Sequence, residues 1–158
     1  MDKTNVMRIL DQKKIAYTPY TYDPAIVEGT VIASTLGEDQ RKVYKTLVTV
    51  SGTGVNFVFV IPVAETLDLK KAAKAVGMKS ISMIKQKELL PLTGYIHGGC
   101  SPVGMKKQFT TVIDDSADAL DLFYVSAGRV GHQVCVDPHK IAELVRASFA
   151  PLTVDHDV

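Results

Sequence analysis

The chain has 158 residues, of which 18 are Lys or Arg and 17 Asp or Glu, so its net charge is +1; 46% of it is hydrophobic. That is the balance of one ordinary globular domain, long enough to hold a core without staples. The two cysteines, Cys100 and Cys135, have no CxxC spacing, which excludes a disulfide framework and a Cys-rich zinc site and fits a reducing compartment. No apolar run approaches the ~20 residues of a membrane span. The charged, helical N-terminus is not signal-like, and the expectation is a cytoplasmic single domain over residues 1–158.

Apolar residues at helical spacing behind Thr4, a suitable N-cap, predict a first helix over 4–14. Tyr17–Tyr22 alternates aromatic residues with Thr and predicts a short strand, with Pro19 placing it at an edge. A second helix is expected over 27–36, stopped by Gly37. Two β-branched, apolar runs, 43–50 and 55–63, flank the turn Ser51-Gly52-Thr53-Gly54 and predict a hairpin. The second run hardly alternates, so it is expected to be buried on both faces. A helix follows over 67–76, ended by Gly77, then a short strand at 80–83 and a short helix at 85–90 halted by Pro91. Further strands are expected at 109–113, 123–125 and 133–136. Asp137-Pro138 opens a closing helix, with Ile141, Leu144, Val145 and Ser148 on its inner face. This order lacks βαβαβ regularity. It predicts an α/β domain with a mixed, strongly curved, barrel-like β-sheet surrounded by helices.

The near-zero net charge hides an uneven distribution. Lys70, Lys71, Lys74, Lys79, Lys85 and Lys87 crowd one stretch, and Lys106 and Lys107 follow; Asp114, Asp115, Asp118 and Asp121 cluster elsewhere. Such a layout either presents one basic face to a polyanion or amounts only to solvated helix faces.

The usual signatures of phosphate-binding loops, zinc proteases and serine hydrolases are absent, and the histidines His97, His132, His139 and His156 are scattered singly. Three segments stand out. Gly94, Gly98, Pro102 and Gly104 form GxxxGxxxPxG, with Gly99 beside Gly98; glycines there allow either an anion-binding concavity or a tight packed turn. Val43-Tyr44-Lys45-Thr46-Leu47 embeds a lysine in an apolar strand, either snorkelling at a sheet edge or facing a pocket as an anion ligand. Ser126-Ala127-Gly128-Arg129-Val130-Gly131 is a strand end with a small-residue turn and one hydroxyl.

These three segments in this order, with TYDP near the start and PVAETLDLKKAAKAVG in the middle, resemble the YbaK-type bacterial aminoacyl-tRNA deacylases. Those proteins are free-standing relatives of the editing domain of bacterial prolyl-tRNA synthetase. The resemblance implies a trans-editing hydrolase that cleaves the 3′-terminal ester of a misacylated tRNA(Pro), cysteine foremost, without metal, cofactor or protein nucleophile. The substrate's own thiol is then the attacking group. Lys45 is implied to anchor the acceptor end, and Gly98 and Gly99 to offer backbone N–H groups to the ester carbonyl. Ser126 is implied to lie near the terminal ribose and Tyr22 to close one wall. Thr46, Pro102 and Gly104 belong to the same substrate-binding motifs. Asp137 corresponds either to a pocket acid of relatives or simply to the cap of the closing helix. Catalysis without a nucleophile–base pair requires only a positioned, reactive substrate and oxyanion donors. Cys100 and His97 occupy positions that the motif leaves free. Alternatives are an Ala-tRNA(Pro) deacylase and a non-catalytic module binding tRNA or prolyl-tRNA synthetase. The oligomeric state is left open between a monomer and a weak homodimer.

Overall fold

The computed structural model describes residues 2–156. In chain order it has α1 (Asn5–Gln12), β1 (Tyr17–Thr21), α2 (Gly29–Thr35), β2 (Tyr44–Ser51), β3 (Asn56–Pro62), α3 (Leu69–Ala75) and β4 (Ile81–Met83). Then follow α4 (Leu89–Thr93), β5 (Thr110–Asp114), β6 (Phe123–Ser126), β7 (His132–Val136), α5 (Pro138–Val145) and β8 (Ser148–Ala150). The local signals explain most boundaries. Thr4 caps α1 by accepting the Met7 N–H, and Asp68 caps α3 by accepting from Lys70 and Lys71. Asp137 does the same for α5, with Pro138 in the first turn.

The fold is a single mixed α/β domain, and its strands form two sheets. The larger has the order β4-β2-β3-β5-β8, and the smaller the order β1-β7-β6. In the larger sheet β2 runs antiparallel to β3 and β4, whereas β3–β5 and β5–β8 are parallel. A lone bridge between Val43 and Tyr124 joins the two sheets. The expected single barrel-like sheet is therefore not closed among the described residues: β4 and β8 remain edge strands of the larger sheet, and the smaller sheet meets it at that bridge.

As expected, β3 is covered on both faces. Phe57, Phe59 and Ile61 pack with Leu67, Ala72, Ala73 and Leu152 on the α3 side. Val58 packs with Val48 and Phe109, while Val60 joins Val6, Met7 and Leu10 of α1 and Ile141 of α5. Period-2 alternation thus builds separate cores from one uninterrupted apolar run. As the sequence predicted, β1 is an edge strand, paired among the described residues only with β7.

Two expectations need correction. Pro91 does not halt the helix there: a 3-10 turn at Gln86–Glu88 leads into α4, which runs on to Thr93. Pro91 falls in the first turn of α4, where its missing N–H has no helical partner to lose. Ser148 is not on the closing helix, which ends at Val145 with Arg146 at φ +58. Ser148 instead begins β8, which pairs with β5.

Candidate functional site

A pocket opens where β2 leaves part of its edge unpaired. The bonds Val63 N–H to Val43 O and Ser51 N–H to Val55 O, both 2.8 Å, set the phase of the hairpin. Odd-numbered β2 residues therefore bond to β3, and even-numbered ones turn their N–H and C=O outward. At one end of that outer edge the Ile84 N–H meets the Val48 carbonyl at 3.4 Å, and at the other Val43 bridges to Tyr124. Between these closures Thr46 presents its backbone groups to a cavity of about 170 Å³. Val43–Leu47 form one wall; the others are Val27, Gly29 and Ile32, Val63, Leu89, the loop residues His97, Gly98 and Cys100, and Ser126 with Gln133.

The polar groups of this pocket are poorly satisfied by the protein itself. Thr46 Oγ1 and Gln133 Oε1 are buried without a hydrogen-bond partner among the described residues. A buried polar atom left unpaired costs about 1–3 kcal/mol, a cost that a polar ligand reaching either atom would offset. Gly98 sits at φ +88, and neither its N–H nor that of Cys100 donates to a described residue. Ser126 Oγ accepts the Gly128 N–H at 3.1 Å, which leaves its own proton free to donate.

Lys45 is half-buried, and no carboxylate among the described residues lies within 4.0 Å of its Nζ. Burial lowers its pKa, while the charge of Glu65 partly opposes that shift. The result is an unpaired cation at a pocket wall. Burial pushes the Cys100 thiol up to about 12. Burial therefore keeps it protonated at neutral pH, which argues against a nucleophilic role.

Lys45, Thr46, Gly98 and Ser126, singled out from three separate segments, thus meet in one cavity. The other candidates lie outside its wall. A β-carbon on Gly99 would stand 3.0 Å from the Val130 nitrogen, and the Gly99 N–H donates to the Ile96 carbonyl at 3.0 Å. Gly99 therefore serves close packing of the two glycine loops, and its N–H is already used. Pro102 is buried in the loop, and Gly104 packs against the Tyr95 hydroxyl, which donates to the Val103 carbonyl. Tyr22 is buried beside Gly131, its N–H donating to the Gly131 carbonyl at 3.0 Å. Asp137 accepts the His139 N–H at 2.8 Å and is committed to capping α5.

Sequence reasoning missed Gln133, Leu89 and the segment from Val27 to Ile32. Gln133 carried a usable signal: it is the polar residue inside Gln-Val-Cys-Val, the same anomaly that marked Lys45. Gly29 allows α2 to lie against Val63, just past the end of β3, since a β-carbon there would stand 2.5 Å from Val63 Cγ1.

Among the described residues no group of three His, Cys, Asp or Glu side chains is placed to hold a metal ion, and no helix is long and apolar enough to cross a membrane. Residues 23–144 match the model of the aminoacyl-tRNA editing domain. An Enterococcus faecalis protein named "Putative Cys-tRNA(Pro)/Cys-tRNA(Cys) deacylase EbsC" is 42% identical over 153 residues, which is 96% of this chain and 93% of that one. A solved structure described as "a putative trans-editing enzyme for prolyl tRNA synthetase" superposes with a TM-score of 0.83 at 20% identity, over 98% of this chain and 100% of the other. The solved hypothetical protein APE2540 gives 0.88 at 21% identity, over 96% of this chain and 100% of the other. At such identities these two structures establish the shared fold. The family match and the E. faecalis relative go further: this chain belongs to the aminoacyl-tRNA editing domain family.

Proposed function

We propose that this pocket binds the 3′-aminoacyl ester of a misacylated tRNA and hydrolyses it, with Cys-tRNA(Pro) as the substrate. The observation that carries this is the convergence of Lys45, Thr46, Gly98 and Ser126 on one cavity of about 170 Å³. That volume suits a small acyl group. The E. faecalis relative, whose printed name specifies Cys-tRNA(Pro) and Cys-tRNA(Cys), supports the choice of cysteine.

In this reading Lys45 supplies positive charge to the acceptor end. Gln133 Oε1 accepts a hydrogen bond from the substrate's ammonium group, and Ser126 donates one to the terminal ribose. The free N–H groups of Gly98 and Cys100 stabilise the oxyanion as it develops; one such donor is typically worth roughly 10²–10³ in rate. With no activated nucleophile in the pocket, the substrate supplies its own. Its thiol sulfur bonds to the ester carbonyl carbon, the bond to the ribose oxygen breaks, and the thiol proton ends on that oxygen. Water then opens the resulting thiolactone to free cysteine.

The exposed Lys85, Lys87, Lys106 and Lys107 provide nonspecific attraction for the RNA. Lys71 contributes less, being tied to Asp155 at 2.7 Å. The whole chain is taken as one editing domain, because α1 and Leu152 lie in its cores outside the matched segment; a tRNA substrate supports action in the cytoplasm. The Val43–Tyr124 bridge is taken as the seam along which the two sheets curl around the pocket.

Deacylation of Cys-tRNA(Pro), Ala-tRNA(Pro) and Cys-tRNA(Cys) in parallel tests the proposal. Rapid loss of cysteine with slow loss of alanine is expected, since alanine lacks the thiol. Comparable loss of alanine would remove the thiol from the mechanism, and no loss from any of them would leave a tRNA-binding module.

A further inference from the structure

The ester-binding pocket has a neighbour that its chemistry leaves unused. Gln86, Lys87, Leu89, Leu90, Ile96 and His97 line an open groove, and two of them, Leu89 and His97, also line the pocket. Leu90 and Ile96 are 51% and 56% exposed, large apolar side chains displayed together beside the cavity. The platform that carries them is well tied down. Thr93 Oγ1 donates to the Leu89 carbonyl at 2.7 Å and accepts the Tyr95 N–H at 3.0 Å, and Gly94 closes α4 at φ +85. The rim is cationic: Lys85 and Lys87 are exposed, while the carboxylate of Glu88 is turned back onto the Lys85 N–H at 3.3 Å.

We propose that this groove seats the terminal nucleobase of the RNA whose ester the adjoining pocket holds; the inference rests on the deacylase reading above. An aminoacyl ester on a ribose hydroxyl carries its base on the same sugar ring, so the base must lie immediately beside the ester-binding cavity. A base has apolar faces and a polar edge. Leu90 and Ile96 offer a surface for a face, His97 a ring for stacking, and Gln86 and Lys87 polar ends for the edge. The lysines also match the phosphate that follows the terminal nucleoside.

The test is a two-by-two comparison of single-turnover deacylation rates. Wild type and the double variant Leu90→Ser/Ile96→Ser are each given Cys-tRNA(Pro) with its normal terminal adenosine and with an abasic terminal riboside. Base-stacking contributions correspond to roughly 5- to 150-fold in affinity. Wild type is expected to lose that factor at subsaturating enzyme on the abasic substrate. The double variant should lose it on the normal substrate and lose nothing more on the abasic one. Independent, multiplying losses, or a wild type indifferent to the missing base, would overturn the groove assignment while leaving the deacylase reading intact. A wild type that hydrolyses neither substrate would overturn that reading itself.

A binding readout needs no catalysis. The chain contains no tryptophan, so Ile96→Trp places its one tryptophan, selectively excited above the tyrosine absorption, in the groove. Uncharged tRNA ending in adenosine should quench its emission, and the same tRNA with an abasic end should not. Equal quenching by both would contradict the assignment.

Discussion

Gly99 lies directly against the backbone of Val130: a β-carbon on Gly99 would be 3.0 Å from the Val130 nitrogen and 3.3 Å from the Arg129 carbonyl carbon. Both contacts are backbone, so neither can swing aside. Through this contact the GxxxGxxxPxG loop rests on the SxGxxG loop, and it fixes Gly98 and Cys100 opposite Ser126.

The first prediction follows from that contact. Gly99→Ala should push the two loops apart, with a destabilisation of about 1–3 kcal/mol, as overpacking generally costs. Deacylation should fall by about tenfold or more, because 1 Å misplacement of positioning groups can cost about 10² in rate. Thermal denaturation and single-turnover rates check both. A variant of wild-type rate would contradict the interlocked-loop account.

Cys100 invites a nucleophilic role that the structure argues against. With burial holding its thiol at about 12, the thiolate is scarce at neutral pH. Cys100→Ala should keep its rate to within about threefold, since no chemistry is assigned to the sulfur. Loss of activity by two orders of magnitude would reverse this reading.

Gln133 is a second pocket residue with a sharp expectation. It is 5% exposed, and its Oε1 lacks a partner. Gln133→Met removes an unpaired buried acceptor whose cost is about 1–3 kcal/mol, so the variant should be at least as stable as wild type. It should also bind the aminoacyl end less tightly, with KM raised by about tenfold, the scale of one lost hydrogen bond to a charged group. A destabilised variant with unchanged KM would mean that Gln133 is purely structural.

The pH dependence of Lys45 has a definite sign. Burial lowers its folded-state pKa below the ordinary 10.5, with Glu65 opposing. The charged form is therefore disfavoured by folding, and the cost is present at neutral pH and relieved as pH rises through the folded value. Lys45→Met should melt no lower than wild type at pH 7, and its advantage should shrink as the solution becomes alkaline. Wild-type activity should decline at a pH below the usual lysine range. In Lys45→Arg, whose charge persists, that limb should move upward, provided any activity is retained. Rates corrected for spontaneous ester hydrolysis check the limb, and melts across pH check the stability.

Local signals were legible in the sequence because they act over a few residues. Thr4, Asp68 and Asp137 cap helices by bonding two or three positions ahead, and the apolar run of β3 announces burial on both faces. What failed was decided elsewhere in the chain. The three residues of β8 form a strand only because β5 is there to pair with them. The split into two sheets lies where β6 meets the β2 edge at the Val43–Tyr124 bridge, a long-range pairing that no periodicity records. For the site, motif order identified Lys45, Thr46, Gly98 and Ser126, whereas Val27, Leu89 and Gln133 reach the pocket only through tertiary packing. Asp137 could be read as cap or pocket acid, and the Asp-Pro dipeptide favoured the cap it occupies.

The most direct measurement is deacylation of Cys-tRNA(Pro) by wild type and by Lys45→Ala, with circular dichroism to show that both are folded. The account predicts rapid release of cysteine by wild type and its loss in the variant, with the fold unchanged. Wild-type turnover by a folded Lys45→Ala protein would contradict the assignment of this pocket.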